Sequence, residues 1–268
     1  MKTYGITIHK INEGEVDFHI ENLKIKGFSI AQKVLSEDNC DSLIIQLENV
    51  YQGQEQRIGE EMLSKINELN IARMPFMENS VFFDLFLNDL VVEITEKIIG
   101  KAFQLHLQNG IINKPQKDHH QSSWHRDLPY QEWVISKPLA VNAFYCLSDF
   151  TANNGATYVL PYSHRSDNFP SSEFVKENEI QLIAPKGAII FFDSMLYHRA
   201  GINSSEKVRY GVNNMFVVPI IKQQIDIATH FSQPENKQTF DTKTAQILGL
   251  NYQIPISVDD FRNNRLKK

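Results

Sequence analysis

Apolar residues at helical spacing form two blocks in the first hundred residues of the chain. Ser36, followed by Glu37 and Asp38, has the pattern of a helix N-cap with acidic residues in the first turn. The apolar face of the helix that follows is predicted to contain Leu43, Ile44, Leu47 and Val50. A second block predicts one helix from Val81 to Ile99, ended by Gly100. Its apolar positions are Phe82, Phe86, Leu90, Ile94 and Ile98. Both helices are predicted to be scaffold.

From Ala102 the pattern changes to short apolar or alternating runs separated by turn residues, which is typical of strands. The predicted strands are Phe103 to Asn113, Leu139 to Leu147, Thr157 to Leu160, Ala188 to Asp193 and Tyr210 to Pro219. Turn residues between them, at Asn153 to Gly155, Pro161 and Lys186-Gly187, favour an antiparallel sandwich or barrel. The mixed polar pattern after residue 219 predicts one short helix, around Thr242 to Leu248.

No internal repeat, low-complexity tract or flexible linker divides the chain, so residues 1–268 are predicted to form one domain. It would comprise a helical part of about 1–100, a β core of about 101–219 and a C-terminal extension, 220–268. The composition, 42% hydrophobic and 22% charged, is that of a globular protein. The formal net charge of −5 argues against nucleic acid or an anionic membrane as the main partner, because both attract basic surfaces.

Cysteine usage and the N-terminus bear on the compartment. Cys40 and Cys146 are the two cysteines and lie far apart, which fits a reducing compartment without a disulfide framework. Residues 1–16 are polar and charged where a signal peptide needs an apolar core. No apolar run approaches the roughly 18 residues needed to span a bilayer. We therefore expect a soluble, cytoplasmic protein; its oligomeric state is not predicted.

The candidate chemistry begins in the segment SSWHRDLPY, where His125 and Asp127 would lie on the same face of a strand. A histidine and a carboxylate side by side supply two ligands to a divalent first-row ion, and a third ligand is needed. His198 is a candidate, because it follows an apolar strand and a turn. Arg209 begins the last strand and shares a face with Asn213. A charged bidentate donor at a barrel mouth suits a carboxylate.

Four segments in order resemble the phytanoyl-CoA dioxygenase family of iron(II)- and 2-oxoglutarate-dependent oxygenases. They are WHRD at 124–127, NNGATYVLPYSH at Asn153 to His164, KGAIIFFDSMLYHRAGINSS at Lys186 to Ser205, and Arg209. The resemblance covers roughly residues 100 to 218. It implies a mainly β fold with flanking α-helices, whose core is a double-stranded β-helix, the jelly roll of cupin-like proteins.

The resemblance also implies the cofactors and their ligands. Iron(II) would be held by His125, Asp127 and His198, the distal carboxylate of 2-oxoglutarate by Arg209, and Thr157 would be a second contact of 2-oxoglutarate. Two imidazoles and one carboxylate leave three positions on iron, enough for a bidentate 2-oxo acid and O2. Related halogenases have Gly or Ala at the carboxylate position, so Asp127 favours hydroxylation of a small metabolite. Desaturation and ring closure stay open, because they differ only in substrate placement.

Further residues are predicted to line the barrel. Gln108 and Asn109, with Lys114 after them, would contact 2-oxoglutarate or substrate, or else form a solvated strand end. Asn213 is predicted to contact 2-oxoglutarate beside Arg209. Aromatic residues near the ligands are predicted to form a substrate wall, with core packing favoured for the first of them: Trp124, Tyr130, Trp133 and Tyr197.

Alternatives remain at the level of single residues. Arg209 could instead form a structural ion pair with Asp193 or Glu206. Arg126 points away from His125 and Asp127 in a regular strand and would then face outward, unless the turn at Leu128-Pro129 redirects it. A second metal site is a further option, drawing on His106, Asp118, His119 and His120, whereas His164 is expected to be structural.

Two other classes of protein compete with the oxygenase. One is a non-catalytic β-helix protein that binds a small molecule or a partner, and the other is a zinc-dependent hydrolase. A non-catalytic protein would be expected to have lost some of the metal ligands. A zinc-dependent hydrolase would give Arg209 no role. Residues 52–76 are predicted to act as a lid over the site.

Overall fold

The computed structural model describes residues 14–115, 120–129 and 131–266, with antiparallel sheets at the centre. The helices are α1 (Glu15–Lys26), α2 (Glu37–Ile58), α3 (Glu60–Lys65), α4 (Phe83–Leu87), α5 (Asp89–Ile99), α6 (Ser172–Asn178), α7 (Ile227–Ser232), α8 (Thr242–Ile247) and α9 (Val258–Leu266). The strands are β1 (Phe28–Ala31), β2 (Ile71–Arg73), β3 (Gln104–Asn113), β4 (Ala140–Cys146), β5 (Tyr158–Val159), β6 (Ile180–Gln181), β7 (Ile189–Asp193), β8 (His198–Arg199) and β9 (Arg209–Val217).

Six strands form the larger sheet, in the order β1-β7-β4-β9-β3-β2, and three form the smaller one, in the order β6-β5-β8. All neighbouring strands run antiparallel. The five predicted strands are present as β3, β4, β5, β7 and β9, so the sheet-rich class predicted from the sequence is confirmed. The four strands that were not predicted have two to four residues each, too few for a pattern of alternation.

Alternation along the central strands divides the interior into two main cores. Tyr145 of β4 and Phe191 of β7 pack in the core shared with the helices. Their sequence neighbours Phe144 and Phe192 point the other way, into a core that includes Val159 of the smaller sheet. The helices therefore cover one face of the larger sheet, and the opposite face is left for the second core and the site.

Helix α2 lies so close to β3 that a side chain at the crossing point would not fit. A Cβ atom added to Gly110 would lie 2.1 Å from Leu47 Cδ1. The predicted start of this helix is confirmed, since the Ser36 hydroxyl accepts a hydrogen bond from Asn39 N. The glycine and the cap together fix where α2 begins and how it packs on the sheet.

The predicted continuous helix from Val81 to Ile99 is wrong. Asn88 interrupts it, because its side chain accepts a hydrogen bond from Val91 N and so caps a new helix, α5, after the short α4. Helix α1 was not predicted, and it buries only His19, Ile20 and Leu23. The short helix predicted around Thr242 to Leu248 is present as α8.

Residues 52–76, for which a lid was predicted, contain the end of α2, α3 and β2. Strand β2 pairs with β3 at the sheet edge, and the side chains of Met74 and Phe76 are buried in the core. This packing ties the segment to the sheet. Within the part of the chain that the structure describes, no helix is both long and apolar enough to cross a lipid bilayer.

Candidate metal centre

Two histidines and one carboxylate converge between the sheets. His198 Nε2 lies 3.4 Å from Asp127 Oδ1, and His125 Nε2 lies 3.8 Å from the same oxygen. One ligand atom from each of the three residues lies within 4.8 Å of the others. Across residues 14–115, 120–129 and 131–266 this is the one cluster of three or more such side chains, so His106 is not part of a second site there. Asp118 and His119 lie outside the described residues, as does the side chain of His120.

Backbone contacts fix the positions of both histidines. His125 N donates to His198 O at 3.0 Å, and His198 N donates to His125 O at 3.1 Å, which forms an isolated bridge between the two segments. The residues around Asp127 bend, so the strand predicted for this segment is limited to the bridge at His125. The order of the ligands still follows the prediction, because the bridge brings His125 and His198 together.

Each imidazole is oriented by a backbone carbonyl. His125 Nδ1 lies 2.8 Å from Ser123 O, and His198 Nδ1 lies 2.9 Å from Leu196 O. A carbonyl oxygen can only accept, so Nδ1 carries a proton in both rings and Nε2 is the nitrogen turned toward Asp127. Neutral imidazoles held in this way are suited to bind a metal ion.

Asn142 of β4 orients the carboxylate. Its Nδ2 donates to Asp127 Oδ2 at 2.8 Å and to Ser194 Oγ at 2.8 Å, while its Oδ1 accepts from Asn213 Nδ2 at 3.0 Å. Oδ2 is therefore occupied and Oδ1 faces the histidines. Asn142 was not predicted as a site residue; its signal is a single amide, fully buried, in an otherwise apolar strand.

Charges in the cluster support each other. Burial alone would raise the pKa of Asp127, but the adjacent His198 and His125 and the Asn142 hydrogen bond outweigh it and hold that pKa below its ordinary value. Burial alone would lower the pKa of His198, and the Asp127 carboxylate reverses this so that the net shift is upward. An ionised carboxylate with two imidazoles is a donor set for a divalent first-row cation.

Two cavities meet at the ligands and share the side chains of Ile111, Gln121, His125, Asp127 and Asn213. The inner cavity, about 40 Å³, is also lined by Thr157, His198 and Arg209 among others. The outer cavity, about 300 Å³, is also lined by Arg73, Leu107, Asn109, Ser123, Arg126 and Gln224. The structure thus brings together six of the seven predicted site residues: His125, Asp127, Thr157, His198, Arg209 and Asn213.

Arg209 is the charged group at the inner cavity. The residue is 1% exposed, and its Nε and Nη1 atoms are buried with no hydrogen-bond partner among the described residues. Burial lowers its pKa to about 10, so the guanidinium stays charged at neutral pH. The ion pair with Asp193 or Glu206 is not formed: no described carboxylate pairs with Arg209, and the arginines whose charges act on Asp193 are Arg165 and Arg126.

These observations test whether iron(II) and 2-oxoglutarate fit the site. The nitrogen and oxygen donors suit a divalent first-row ion and leave its remaining positions toward the two cavities. The unpartnered N–H groups of Arg209 suit a carboxylate, which accepts two parallel hydrogen bonds from a guanidinium. The residues present therefore fit both groups.

Gln108 is not part of the site, which corrects the prediction. Its side chain lies on the helix side of the sheet, where the carbonyl accepts from Phe76 N and the amide donates to Phe82 O and Asn214 Oδ1. The next residue, Asn109, is the one that lines the outer cavity. Lys114 lines neither cavity; its ammonium group lies over the ring of Tyr51.

Arg126 does not face outward as predicted. It is 3% exposed, and its guanidinium donates to the carbonyl oxygens of Gln131, Ser163 and Ser166. The predicted aromatic wall is also absent from the two cavities among the described residues. Trp124 and Tyr197 pack in a small apolar cluster, Trp133 is 52% exposed elsewhere, and Tyr130 lies outside the described residues.

Sequence and structure comparisons place these features in a known family. The sequence model of the phytanoyl-CoA dioxygenase family matches residues 23–211, so the chain belongs to that family. The uncharacterized protein Rv1501 of Mycobacterium tuberculosis is 30% identical over 267 residues, which cover 93% of this chain and 92% of the relative.

Solved structures of low sequence identity share the fold. A structure of EctD from S. alaskensis with 2-oxoglutarate and 5-hydroxyectoine superposes with a TM-score of 0.63 at 17% identity, covering 75% of each chain. The epimerase SnoN, in complex with Fe3+, alpha ketoglutarate and nogalamycin RO, gives a TM-score of 0.60 at 12% identity, covering 84% of this chain and 92% of SnoN. The predicted cupin-like double-stranded β-helix is confirmed.

Proposed function

We propose that this protein is an iron(II)- and 2-oxoglutarate-dependent dioxygenase that hydroxylates an unactivated C–H bond of a small metabolite, such as an amino acid or a natural-product intermediate. The observation that carries the proposal is the buried, unpartnered guanidinium of Arg209 beside the cluster of His125, Asp127 and His198. A zinc hydrolase would leave that charge without a purpose, and a non-catalytic binding protein would not need the three ligands.

The chain's own residues have separate tasks in this proposal. His125, Asp127 and His198 hold the metal, and the carbonyls behind each imidazole keep Nε2 free to bind it. Arg209 binds the distal carboxylate of 2-oxoglutarate in the inner cavity, with Thr157 beside it. The outer cavity receives the substrate. Bound iron(II) with 2-oxoglutarate and O2 supplies an oxidant strong enough for an unactivated C–H bond, with release of succinate and carbon dioxide.

Asp127 supports hydroxylation over halogenation. A halogenase needs a ligand position in place of the carboxylate, and here the carboxylate is present, ionised and held by Asn142. The SnoN comparison supports a wider range of outcomes, since an epimerase with Fe3+ and alpha ketoglutarate has a similar fold. We infer that substrate placement in the outer cavity decides the outcome.

The experiment is turnover of purified protein with iron(II), ascorbate and 2-oxoglutarate, measured as succinate formed with and without pools of metabolites. Wild type is expected to form succinate, and Asp127→Ala is expected to lose at least about 1,000-fold because the metal loses its one anionic ligand. Asp84→Ala, on the exposed side of α4, is the matched control and should retain activity.

The proposal fails if wild type forms no succinate, with or without added metabolites, and if the anaerobic iron(II) protein develops no visible charge-transfer band when 2-oxoglutarate is added. Undiminished activity of Asp127→Ala would remove the carboxylate from the mechanism.

A further inference from the structure

A row of polar side chains crosses the outer cavity from its edge toward the metal ligands. The strand register places Arg73 of β2 opposite Asn109 of β3, and Asn109 opposite Asn213 of β9. All three line the outer cavity. Leu107 and Ile111, two residues before and after Asn109 on the same strand, supply apolar surface on either side of the row.

Two amide oxygens in this row lack donors. Asn213 Nδ2 donates to Asn142 Oδ1 at 3.0 Å, which fixes the amide and leaves Asn213 Oδ1 buried without a partner among the described residues. Asn109, which is 6% exposed, also has a buried Oδ1 with no partner there. A buried acceptor without a donor is costly, and a ligand that donates hydrogen bonds would remove this cost at both oxygens. The neighbouring Gln108, which faces the helices, has a partner for both its carbonyl and its amide.

The cations around the outer cavity are largely engaged. Arg73 donates to both carboxylate oxygens of Glu68, and Arg126 donates to three backbone carbonyls. Of the two arginines that line this cavity, Arg126 keeps one buried N–H group, Nε, without a hydrogen-bond partner among the described residues. The oxygen atoms of Asn109 and Asn213 lack hydrogen-bond donors. An anion placed beside them would be repelled, because it would face two further oxygen atoms.

We propose that Asn109 and Asn213 select a substrate that presents a hydroxyl or ammonium group, and that they reject one with an anionic group at this position. The donor group bonds to the two amide oxygens while the carbon skeleton lies against Leu107 and Ile111, with one C–H bond turned toward the metal ligands. The inference rests on the proposed function where it names the ligand as substrate, but the amide pair exists without metal.

The test uses three probes with one apolar ring and different polar groups: cyclohexylamine, cyclohexanol and cyclohexanecarboxylate. They are titrated into metal-free, full-length protein labelled with 15N-asparagine, and the side-chain amide signals of Asn109 and Asn213 are followed by NMR. The amine and the alcohol are expected to shift both signals saturably. The carboxylate can also bind Arg209 in the inner cavity, which Asn213 lines, so its effect is read from Asn109 alone and should be at least about tenfold weaker there. Because the titration uses metal-free protein, its result does not depend on whether the oxygenase assay succeeds.

Variants distinguish recognition from general binding to the cavity. Asn109→Leu keeps the volume and is expected to weaken binding of the amine and the alcohol about five- to tenfold. Asn109→Asp keeps an acceptor and adds charge, so it should tighten cyclohexylamine and leave cyclohexanol within about twofold. The control Asn251→Asp makes the same change at an exposed position that lines neither cavity.

The proposal is overturned by any of three results. One is that the carboxylate shifts the wild-type Asn109 signal at the same concentration as the amine. The second is that neither the amine nor the alcohol shifts them, a measurement that needs no variant to fold. The third is that Asn109→Leu binds both probes as wild type does.

Discussion

Two buried arginines lie beside the candidate metal ligands and differ in the hydrogen bonds that they donate. Arg126, 3% exposed, donates to the carbonyls of Gln131, Ser163 and Ser166, and its guanidinium lies 3.9 Å above the ring of Tyr197. Arg209, 1% exposed, lies 4.5 Å above the ring of Phe150, but two of its N–H groups, Nε and Nη1, are buried without a hydrogen-bond partner among the described residues, against Nε alone in Arg126. The hydrogen bonds of Arg126 hold parts of the fold together, so its burial is explained by folding. The charge of Arg209 is buried without a carboxylate partner, and such a charge lowers the free energy of unfolding.

The comparison shows that burial does not separate structural from ligand-binding residues, and that partners do. Gln108 and Asn109 repeat the contrast with amides: both are buried, the first has three hydrogen-bond partners, and the Oδ1 atom of the second has none among the described residues. Both unpartnered members line a cavity beside the candidate metal ligands; Arg126 also lines one, whereas Gln108 lines neither. Each contrast can be tested by removing one member at a time.

The largest effect is expected for Arg209→Met. Removing the guanidinium leaves the distal carboxylate of 2-oxoglutarate without its charged partner, so affinity should fall about 1,000-fold, or about 4 kcal/mol. Calorimetric titration of 2-oxoglutarate into Co2+-loaded protein measures this. Without metal and 2-oxoglutarate the same change should leave the free energy of unfolding equal or higher, because it removes an unpaired buried charge.

Arg265→Met, on the exposed α9, is the control for the loss of one positive charge. Its affinity for 2-oxoglutarate should match wild type. If Arg209→Met binds 2-oxoglutarate within about threefold of wild type, the arginine does not hold the cosubstrate and the contrast with Arg126 has no functional meaning.

The opposite result is expected for Arg126→Met. Three carbonyl oxygens would lose their donor and Tyr197 its stacked cation, so the free energy of unfolding should fall by about 3 kcal/mol in urea titrations. The affinity for 2-oxoglutarate should change far less than in Arg209→Met. Unaltered stability would show that the carbonyls find other donors and that Arg126 is not structural.

The sequence could predict those parts of the site that rest on residue type and order. The candidate metal ligands and Arg209 have side chains suited to their proposed tasks, and the five predicted strands have clear apolar patterns in the sequence. The partners of a side chain depend on residues distant in the chain, so the sequence could not show that Arg126 is buried by the segment 163–166. The same applies to Asn142, whose partners Asp127, Ser194 and Asn213 come from three other segments.

The error at Gln108 has a local physical cause. Phe103 and Leu105 pack in the helix-side core, and simple alternation from them would turn Gln108 toward the cavity. The pairing of β3 with β9 shifts between Leu105 and Leu107, which leaves one extra residue in β3 and reverses the alternation after it. The bulge therefore places Asn109 in the cavity, and no pattern in the strand's own sequence marks it.

A pH-dependent effect is expected for Asp193→Asn, which tests the region around Arg126. Burial raises the pKa of Asp193 from 3.8 to about 6, although the Met195 N–H, Arg165 and Arg126 act in the other direction. A carboxyl group whose pKa is higher in the folded state lowers the free energy of unfolding at pH values above both pKa values, and this penalty vanishes below about pH 4.

The substitution should therefore raise the free energy of unfolding at pH 8 by about 3 kcal/mol, that is about 1.36 kcal/mol for each pH unit between the pKa values of 3.8 and about 6, and by less than about 1 kcal/mol near pH 4. Asn keeps the oxygen that accepts from Met195 N, so the change isolates the charge. Urea titrations at pH 4, 6 and 8 measure the effect, and Asp84→Asn on the exposed side of α4 is the control. A gain that is the same at every pH would contradict the assignment to ionisation.

The smallest effect is expected for Thr157→Val, which tests the second predicted contact of 2-oxoglutarate. The change keeps the shape of the side chain and removes its hydroxyl, so affinity for 2-oxoglutarate should fall about fivefold, or about 1 kcal/mol, by the same calorimetry. Thr157 and Arg209 line the same inner cavity. If both residues bind one carboxylate, Thr157→Val should lower the affinity for 2-oxoglutarate less in Arg209→Met protein than in wild type. The effects of residues that share a partner are not additive. Full additivity would mean that the hydroxyl and the guanidinium contact different parts of the ligand.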